Sequence, residues 1–288
     1  MLSRRSFASI PGLALPRLLH PAPRRFKALP KACAELEKTN GGRVGVAVLD
    51  ASAGERSGHR ADERFPMCST FKFLLASAVL ERVDRRQESL DRAIGIPPKP
   101  LLSNSPLTEP HAGGSMTING LCHAVLTRSD NTAANLLLEG IGGPAGVTAF
   151  ARSIGDSVTR LDRTELALNE CRAGDPRDTT SPNAIAGDLK SVLLGNVLSP
   201  ASRTQLTLWM EANLTGLDRL RAKLPEGWRA ADKTGSNGEH TSNDIAVFWH
   251  AGRPAVIVAA YITQCPGPES KRAAMLGEIG RLVRESLV

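Results

Sequence analysis

The chain has 288 residues, 41% of them hydrophobic and 23% charged, a balance that fits a soluble globular protein with a sizeable buried core. No apolar run reaches the roughly 20 residues that cross a bilayer, so no stable membrane anchor is expected. The net charge is +7, yet Arg4, Arg5, Arg17, Arg24, Arg25, Lys27 and Lys31 supply all of it, leaving 29 basic residues against 29 acidic ones; a body without a basic patch is not expected to bind nucleic acid.

In chain order, Ser3-Arg4-Arg5-Ser6-Phe7 and the moderately apolar stretch Ala8 to Leu19 read as an export signal of the twin-arginine type. The signal is assigned to residues 1–27, with cleavage between Pro21 and Ala28, and the mature chain is expected in the periplasm. Leu29 to Thr39 reads as a helix closed by Asn40-Gly41-Gly42. Arg43 to Asp50 alternates and is rich in Val, so it reads as a strand; a turn at Ser52–Gly54 leads to a second strand ending near Arg60. From there to Glu211 the pattern is mostly helical, with breaks at Gly95–Pro100, Gly142–Gly146 and Gly174–Pro182. Strand patterns return at Trp228–Thr234, Asp244–His250 and Ala255–Thr263, and Ser270 to Leu287 is an amphipathic helix.

Strands thus come from both chain ends and helices from the middle. The fold class expected is α/β (α+β): one antiparallel sheet built from both ends (about 28–60 and 212–288), flanked by helices, with an inserted all-helical lobe (about 61–211). A ligand site is expected where the lobes meet. The five cysteines, Cys33, Cys68, Cys122, Cys171 and Cys265, form no C-x-x-C pair, and buried free thiols are the default. No cofactor is expected. The histidines hold no His-x-His cluster for a metal, no G-x-S-x-G elbow occurs, and Gly140 to Ala145, which fits G-x-G-x-x-A, follows a helix and reads as a loop.

Three short motifs can carry chemistry. Ser69 and Lys72 stand three apart at the start of a helix that is apolar on nearly every face from Phe71 to Val83, so they share one face. The helix N-terminus favours an oxyanion near Ser69, and with burial it disfavours a protonated Lys72, which then becomes able to take a serine proton. Ser129-Asp130-Asn131 precedes a helix and also reads as an N-cap. Lys233-Thr234-Gly235 closes a strand, where backbone N–H groups and two polar side chains face a ligand. Each alone is weak. Their order and separation resemble the penicilloyl-serine transferases, over nearly all of residues 28–288.

Within that group Arg163-Thr164-Glu165-Leu166-Ala167-Leu168-Asn169 and Gly174 to Thr180 resemble the omega loop of class A serine β-lactamases, and the surroundings of Ser69 and Lys233 resemble their exported cephalosporin-hydrolysing branch. The resemblance implies a monomer that hydrolyses the β-lactam substrates penicillins and cephalosporins and gives antibiotic resistance. Ser69 would attack the lactam carbonyl, with Lys72, or Glu165 through a water, removing its proton. The N–H groups of Ser69 and Ser236 would hold the oxyanion, and Ser129 would pass a proton to the leaving nitrogen. Glu165 and Asn169 would activate the hydrolytic water. Lys233, Thr234, Gly235 and Ser236 would receive the substrate carboxylate, and Asn131 the acylamide. Arg163 and Asp178 would pin the loop.

Four departures from the family pattern stand out. Leu166 replaces a proline that often follows a cis bond, and the pinned loop is expected to keep that bond cis. Cys68 faces Asn237 instead of the cysteine that carbapenemases use, so that disulfide is excluded. Cys122 faces Ala76 and is expected as a free thiol. Ser242 and Asn243 replace a carboxylate-binding Arg, for which Arg219 resembles the substitute; Asn104 stands where an aromatic usually guards the entrance. The rival readings are a penicillin-binding D,D-peptidase and a β-lactam-sensing acyl trap, against which Glu165 and Asn169 count.

Overall fold

The computed structural model describes residues 25–287; the twin-arginine motif lies outside them. Helix α1 (Leu29–Asn40) leads into β1 (Arg43–Asp50) and β2 (Arg56–His59). The chain then crosses into a helical region holding β3 (Phe65–Pro66), α2 (Phe71–Asp84), β4 (Ala93–Gly95), β5 (Ser115–Thr117), α3 (Ile118–Thr127), α4 (Asn131–Gly140), α5 (Pro144–Ser153), β6 (Thr179–Thr180), α6 (Pro182–Leu189) and α7 (Pro200–Glu211). It returns through β7 (Trp228–Ser236), β8 (Ser242–His250) and β9 (Val256–Thr263) to end in α8 (Glu269–Glu285).

The main sheet is five-stranded and antiparallel, ordered β2-β1-β9-β8-β7. The first and last strands of the chain therefore lie side by side, as the alternating patterns at both ends implied. Period-two alternation divides their side chains between two cores. Val44, Val46 and Val48 join Ala246, Phe248, Val258 and Ile262 in a core closed by α1 and α8. Ala47 and Leu49 join Ile245, Val247, Ile257 and Tyr261 in a larger core with the helices. Phe26 is also buried in the first core, and its carbonyl accepts from Ser57 Oγ at 3.0 Å.

Helix α2 is buried without interruption from Phe71 to Leu80. Its apolar side chains each contribute about 1.5–3 kcal/mol by leaving water, which fixes the helix through the middle of the helical region. The 3-10 turn that carries Ser69 runs directly into this buried helix. Gly45 leaves room for the neighbouring ring: a Cβ there would lie 2.3 Å from the Phe65 side chain.

Two short antiparallel pairs were absent from the sequence reading. β3 pairs with β6 through Phe65↔Thr180, and β4 with β5 through Ile94↔Met116. Strands of two or three residues are too brief to show a period. β7 and β8 also extend two residues further than expected, to Ser236 and back to Ser242, so the ladder runs to the edge of the cleft.

Candidate active site

A cleft of about 570 Å³ is lined by Ser69, Asn104, Ser129, Asn131, Asn169, Thr234, Gly235 and Ser236, together with Leu166, Thr215, Arg219 and Glu269. It lies between the end of β7 and the helical region. Ser69 belongs to a 3-10 turn, Cys68–Thr70, that runs into α2. Cys68 before it is in the left-handed region (φ 44°), and the Met67 carbonyl accepts from Thr70 N at 3.2 Å and Thr70 Oγ1 at 2.9 Å.

The charged centre is compact. Ser69 Oγ donates to Glu165 Oε1 at 3.3 Å, and the same oxygen receives Lys72 Nζ at 2.9 Å. Lys72 Nζ also donates to Asn131 Oδ1 (2.6 Å), the Ser129 carbonyl (2.8 Å) and Ser129 Oγ (3.4 Å). Complete burial lowers the Lys72 pKa from its ordinary value, and the Glu165 carboxylate opposes that shift. Lys233 Nζ reaches Ser129 from the other side, donating to its Oγ at 3.1 Å and to the Thr234 carbonyl at 2.7 Å. Ser129 Oγ thus stands between two lysines.

The N-cap reading of Ser129-Asp130-Asn131 holds, and it places the motif's other two residues at the charged centre. Asp130 is the N-cap of α4, accepting from Ala133 N at 2.9 Å, and it also anchors Leu107 N and Thr108 N of the facing loop. That cap frees Ser129 and Asn131 to face Lys72. Asn104 donates to the Ser129 carbonyl at 3.0 Å, so it braces this turn.

Glu165 sits in a loop fastened at its base. Arg163 Nε meets Asp178 Oδ2 at 2.6 Å, while Asp178 Oδ1 accepts from the backbone N–H of Asp162 (2.8 Å) and of Arg163 (2.9 Å). The Glu165–Leu166 peptide is cis, as expected. Asn169 Nδ2 donates to Glu165 Oε2 at 2.6 Å.

Gly235 is required by close approach. A Cβ there would lie 2.6 Å from the Met67 carbonyl and 3.1 Å from Ser69 N, so β7 passes directly against the nucleophile's turn. Thr234 Oγ1 pairs with Thr215 Oγ1 at 2.5 Å, and Ser236 Oγ accepts from Gly238 N at 3.0 Å.

Arg219 lines the cleft but is already engaged. Its Nη1 donates to the Gly235 and Asn243 carbonyls, each at 3.0 Å, and its Nη2 to Glu269 Oε1 at 2.7 Å. The residues in the departing positions are structural: Asn243 Nδ2 holds the Pro66 and Met67 carbonyls, and Ser242 Oγ accepts from the buried Arg272 at 3.1 Å.

The sequence reading missed Asn135, Thr215 and Glu269. Asn135 brackets the Glu165 backbone, accepting from its N–H at 3.0 Å and donating to its carbonyl at 2.9 Å. A signal was available: Asn135 is four residues after Asn131 on α4 and shares its face. Thr215 and Glu269 come from segments with no local mark.

The profile of the Beta-lactamase enzyme family matches residues 28–287. The chain is 48% identical to Beta-lactamase L2 of Stenotrophomonas maltophilia over 98% of each protein. It is 44% identical to Beta-lactamase CTX-M-25 of Escherichia coli over 88% of this chain and 87% of that one. Among solved structures, an ancestral Gram-negative class A β-lactamase is 58% identical with a TM-score of 0.87, covering 90% of this chain and 99% of the other. A β-lactamase from Xanthomonas campestris pv. campestris gives 48% and 0.89, covering 92% and 99%.

Proposed function

Because this chain belongs to the class A serine β-lactamases of the β-lactamase enzyme family, hydrolases that confer antibiotic resistance, we propose that it opens penicillins and cephalosporins through an acyl-enzyme on Ser69. The observation that carries this reading is the Glu165 carboxylate, hydrogen-bonded at once to Ser69 Oγ, Lys72 Nζ and Asn169 Nδ2. A carboxylate touching the nucleophile serves an enzyme that must also release its acyl group.

The Ser69 hydroxyl gives its proton to Glu165, on which it already donates, and its oxygen attacks the lactam carbonyl. Lys72 keeps Glu165 and Ser129 in register and offsets the charge that moves between them. The oxyanion is held by the N–H groups of Ser69 and Ser236 near the N-terminal end of α2. When the C–N bond breaks, Ser129 gives its proton to the departing nitrogen and takes one from Lys72, which recovers it from Glu165, so that the carboxylate is free again for deacylation. A water received between Glu165 and Asn169 then loses a proton to Glu165, attacks the ester carbonyl, and the Ser69 oxygen leaves with a proton.

Lys233, Thr234 and Ser236 receive the substrate carboxylate, and Asn131 the acylamide. Arg219 assists Lys233 only if the carboxylate competes with Glu269 for Nη2; Arg219→Ala is expected to raise KM for penicillins and cephalosporins, and an unchanged KM removes Arg219 from the site.

The chain is proposed to act as a periplasmic monomer after twin-arginine export, on the strength of Ser3 to Phe7. Among the described residues no helix is long and apolar enough to cross a membrane. The burial of Phe26 favours cleavage before Arg25, within the Pro21–Ala28 window.

The decisive test follows a chromogenic cephalosporin against enzyme concentration. Many turnovers are expected from the wild type, none from Ser69→Ala, and about one product per enzyme from Glu165→Gln, formed slowly with Lys72 as the remaining base and held as an acyl-enzyme visible by mass. A single stoichiometric burst from the wild type identifies an acyl trap or a D,D-peptidase instead.

A further inference from the structure

The contact between Cys68 and Cys171 plays no part in the chemistry above. Their sulfurs lie 3.3 Å apart in a buried setting, although 103 residues separate them in sequence. Cys68 immediately precedes Ser69, and Cys171 ends the 3-10 turn Ala167–Glu170 that carries Asn169. Both have positive φ, 44° and 50°. A disulfide needs about 2.05 Å between sulfurs, so they must close by just over 1 Å.

We propose that Cys68 and Cys171 form a reversible disulfide that fastens the loop bearing Glu165 and Asn169 to the segment bearing Ser69. The loop is already clamped at its base by Arg163 and Asp178; this bond would clamp its far limb. Cys68 is fully enclosed, but Cys171 lines a second cleft of about 320 Å³, bordered by Arg64, Pro66, Gly174 and Gln264. The oxidant is therefore a small disulfide, R–S–S–R, arriving through that cleft. The Cys171 thiolate attacks one of its sulfurs, breaking R–S–S–R, forming Cys171–S–S–R and releasing one thiolate. The Cys68 thiol attacks the Cys171 sulfur, its proton passing to the departing R–S, which forms the protein disulfide and releases the second small molecule as R–SH. Two protein thiols are oxidised and one small disulfide is reduced to two thiols.

The order of attack fits the surroundings. The Cys68 thiol donated towards it, with Arg163 nearby, holds the Cys171 pKa below its ordinary value. The same hydrogen bond, with complete burial and the Glu165 charge, raises that of Cys68. The other three cysteines serve as internal controls. Cys33 is pushed up to about 12 by burial, Cys122 is raised by burial as well, and Cys265 donates to the backbone carbonyls of Asn40 and Pro266, each at 3.9 Å.

The test incubates the full chain with oxidised glutathione, then counts thiols after denaturation and maps peptides. Five thiols should fall to three, with a cross-linked Cys68–Cys171 peptide and a Tm higher by about 5–10 °C, both reversed by dithiothreitol. Cys122→Ser should go from four thiols to two, whereas Cys171→Ser should keep four. Five thiols persisting in the wild type, a glutathione retained on Cys171 with four thiols free, a cross-link through another cysteine, or a cross-linked form with no higher Tm overturns the proposal. The wild-type map and the Cys122→Ser count remain decisive even where Cys171→Ser fails to fold.

Discussion

Lys233 has no exposed side-chain surface, and its ammonium rests on Ser129 Oγ and the Thr234 carbonyl. Burial, then the charge of Lys72, brings its pKa down to about 7. In the free enzyme the charge that would attract a substrate carboxylate is therefore lost as pH rises through about 7. A bound carboxylate favours the ammonium, so this limb belongs to kcat/KM rather than to kcat. The expected profile of kcat/KM falls on the alkaline side near that pH. Lys233→Arg, whose guanidinium stays charged, should flatten the limb whatever its absolute activity. An identical alkaline limb in the variant rules Lys233 out as its source. At this scale the sequence was most legible where chemistry depends on residue type at fixed spacing: Ser69 with Lys72, Ser129 with Asn131, Lys233 with Thr234. It was silent on Glu269, whose meaning arises only because the N-terminus of α8 meets Arg219, and on Cys171, which is unremarkable until Cys68 lies beside it.

The loop from Arg163 to Asp178 shows what an element adds to its residues. Asp178 is 1% exposed and accepts from two backbone N–H groups as well as from Arg163. Breaking a buried pair typically costs about 3–5 kcal/mol, and the two remaining N–H donors place Arg163→Ala at the lower end. The loss falls on the loop that presents Glu165 and Asn169, while the turn holding Ser69 is fixed separately by α2. Lys72 can take the Ser69 proton in place of a displaced Glu165, but nothing replaces Glu165 and Asn169 at the water, so Arg163→Ala should slow deacylation more than acylation. The measurement is the fraction of enzyme carrying an acyl group at steady state, by quenched mass spectrometry. A low acyl fraction alongside reduced kcat would mean that the substitution acts on Ser69 instead. Helix and long-strand elements were readable because an apolar pattern extends over eight or more residues, alternating in β1 and continuous in α2. The β3–β6 pair was not, because Phe65 and Thr180 meet only after the intervening helices have packed. The loop itself has no periodicity, and its role came from resemblance rather than from pattern.

Across the whole molecule, the sheet joins two cores, and α6 packs on β1 and β9 with Ile185, Ala186 and Leu189 in the larger one. Strand patterns at both ends of the sequence made that layout legible, since one antiparallel sheet built from both ends is the simplest packing that buries them together. They did not reveal that Asp188, on α6, would be buried beside Asp156, which follows α5. Asp156 Oδ1 accepts from Val158 N and Thr159 N, but one oxygen of each carboxyl has no other partner. Burial, then repulsion from Asp156, pushes Asp188 up to about 9, against a partial offset from Arg152. Unfolded, it titrates near about 3.9. Between those pH values the native chain binds more protons than the unfolded one, so this group's effect is to lower stability as pH rises. The penalty is absent below about pH 4 and largest above about pH 9. Asp232, pushed up to about 6 by burial, and Asp244, raised by burial, act in the same direction. Glu37 acts oppositely: its pairing with Arg60 lowers it to about 2, which sets part of the acid limb. Asp188→Asn removes one titration and keeps the size of the side chain. Its Tm should exceed that of the wild type by several degrees at pH 9, and the gap should shrink steadily towards pH 5. A Tm difference that stays constant across that range would mean that Asp188 carries no extra proton in the folded chain, and that the slope belongs to Asp232 and Asp244 behind Lys233.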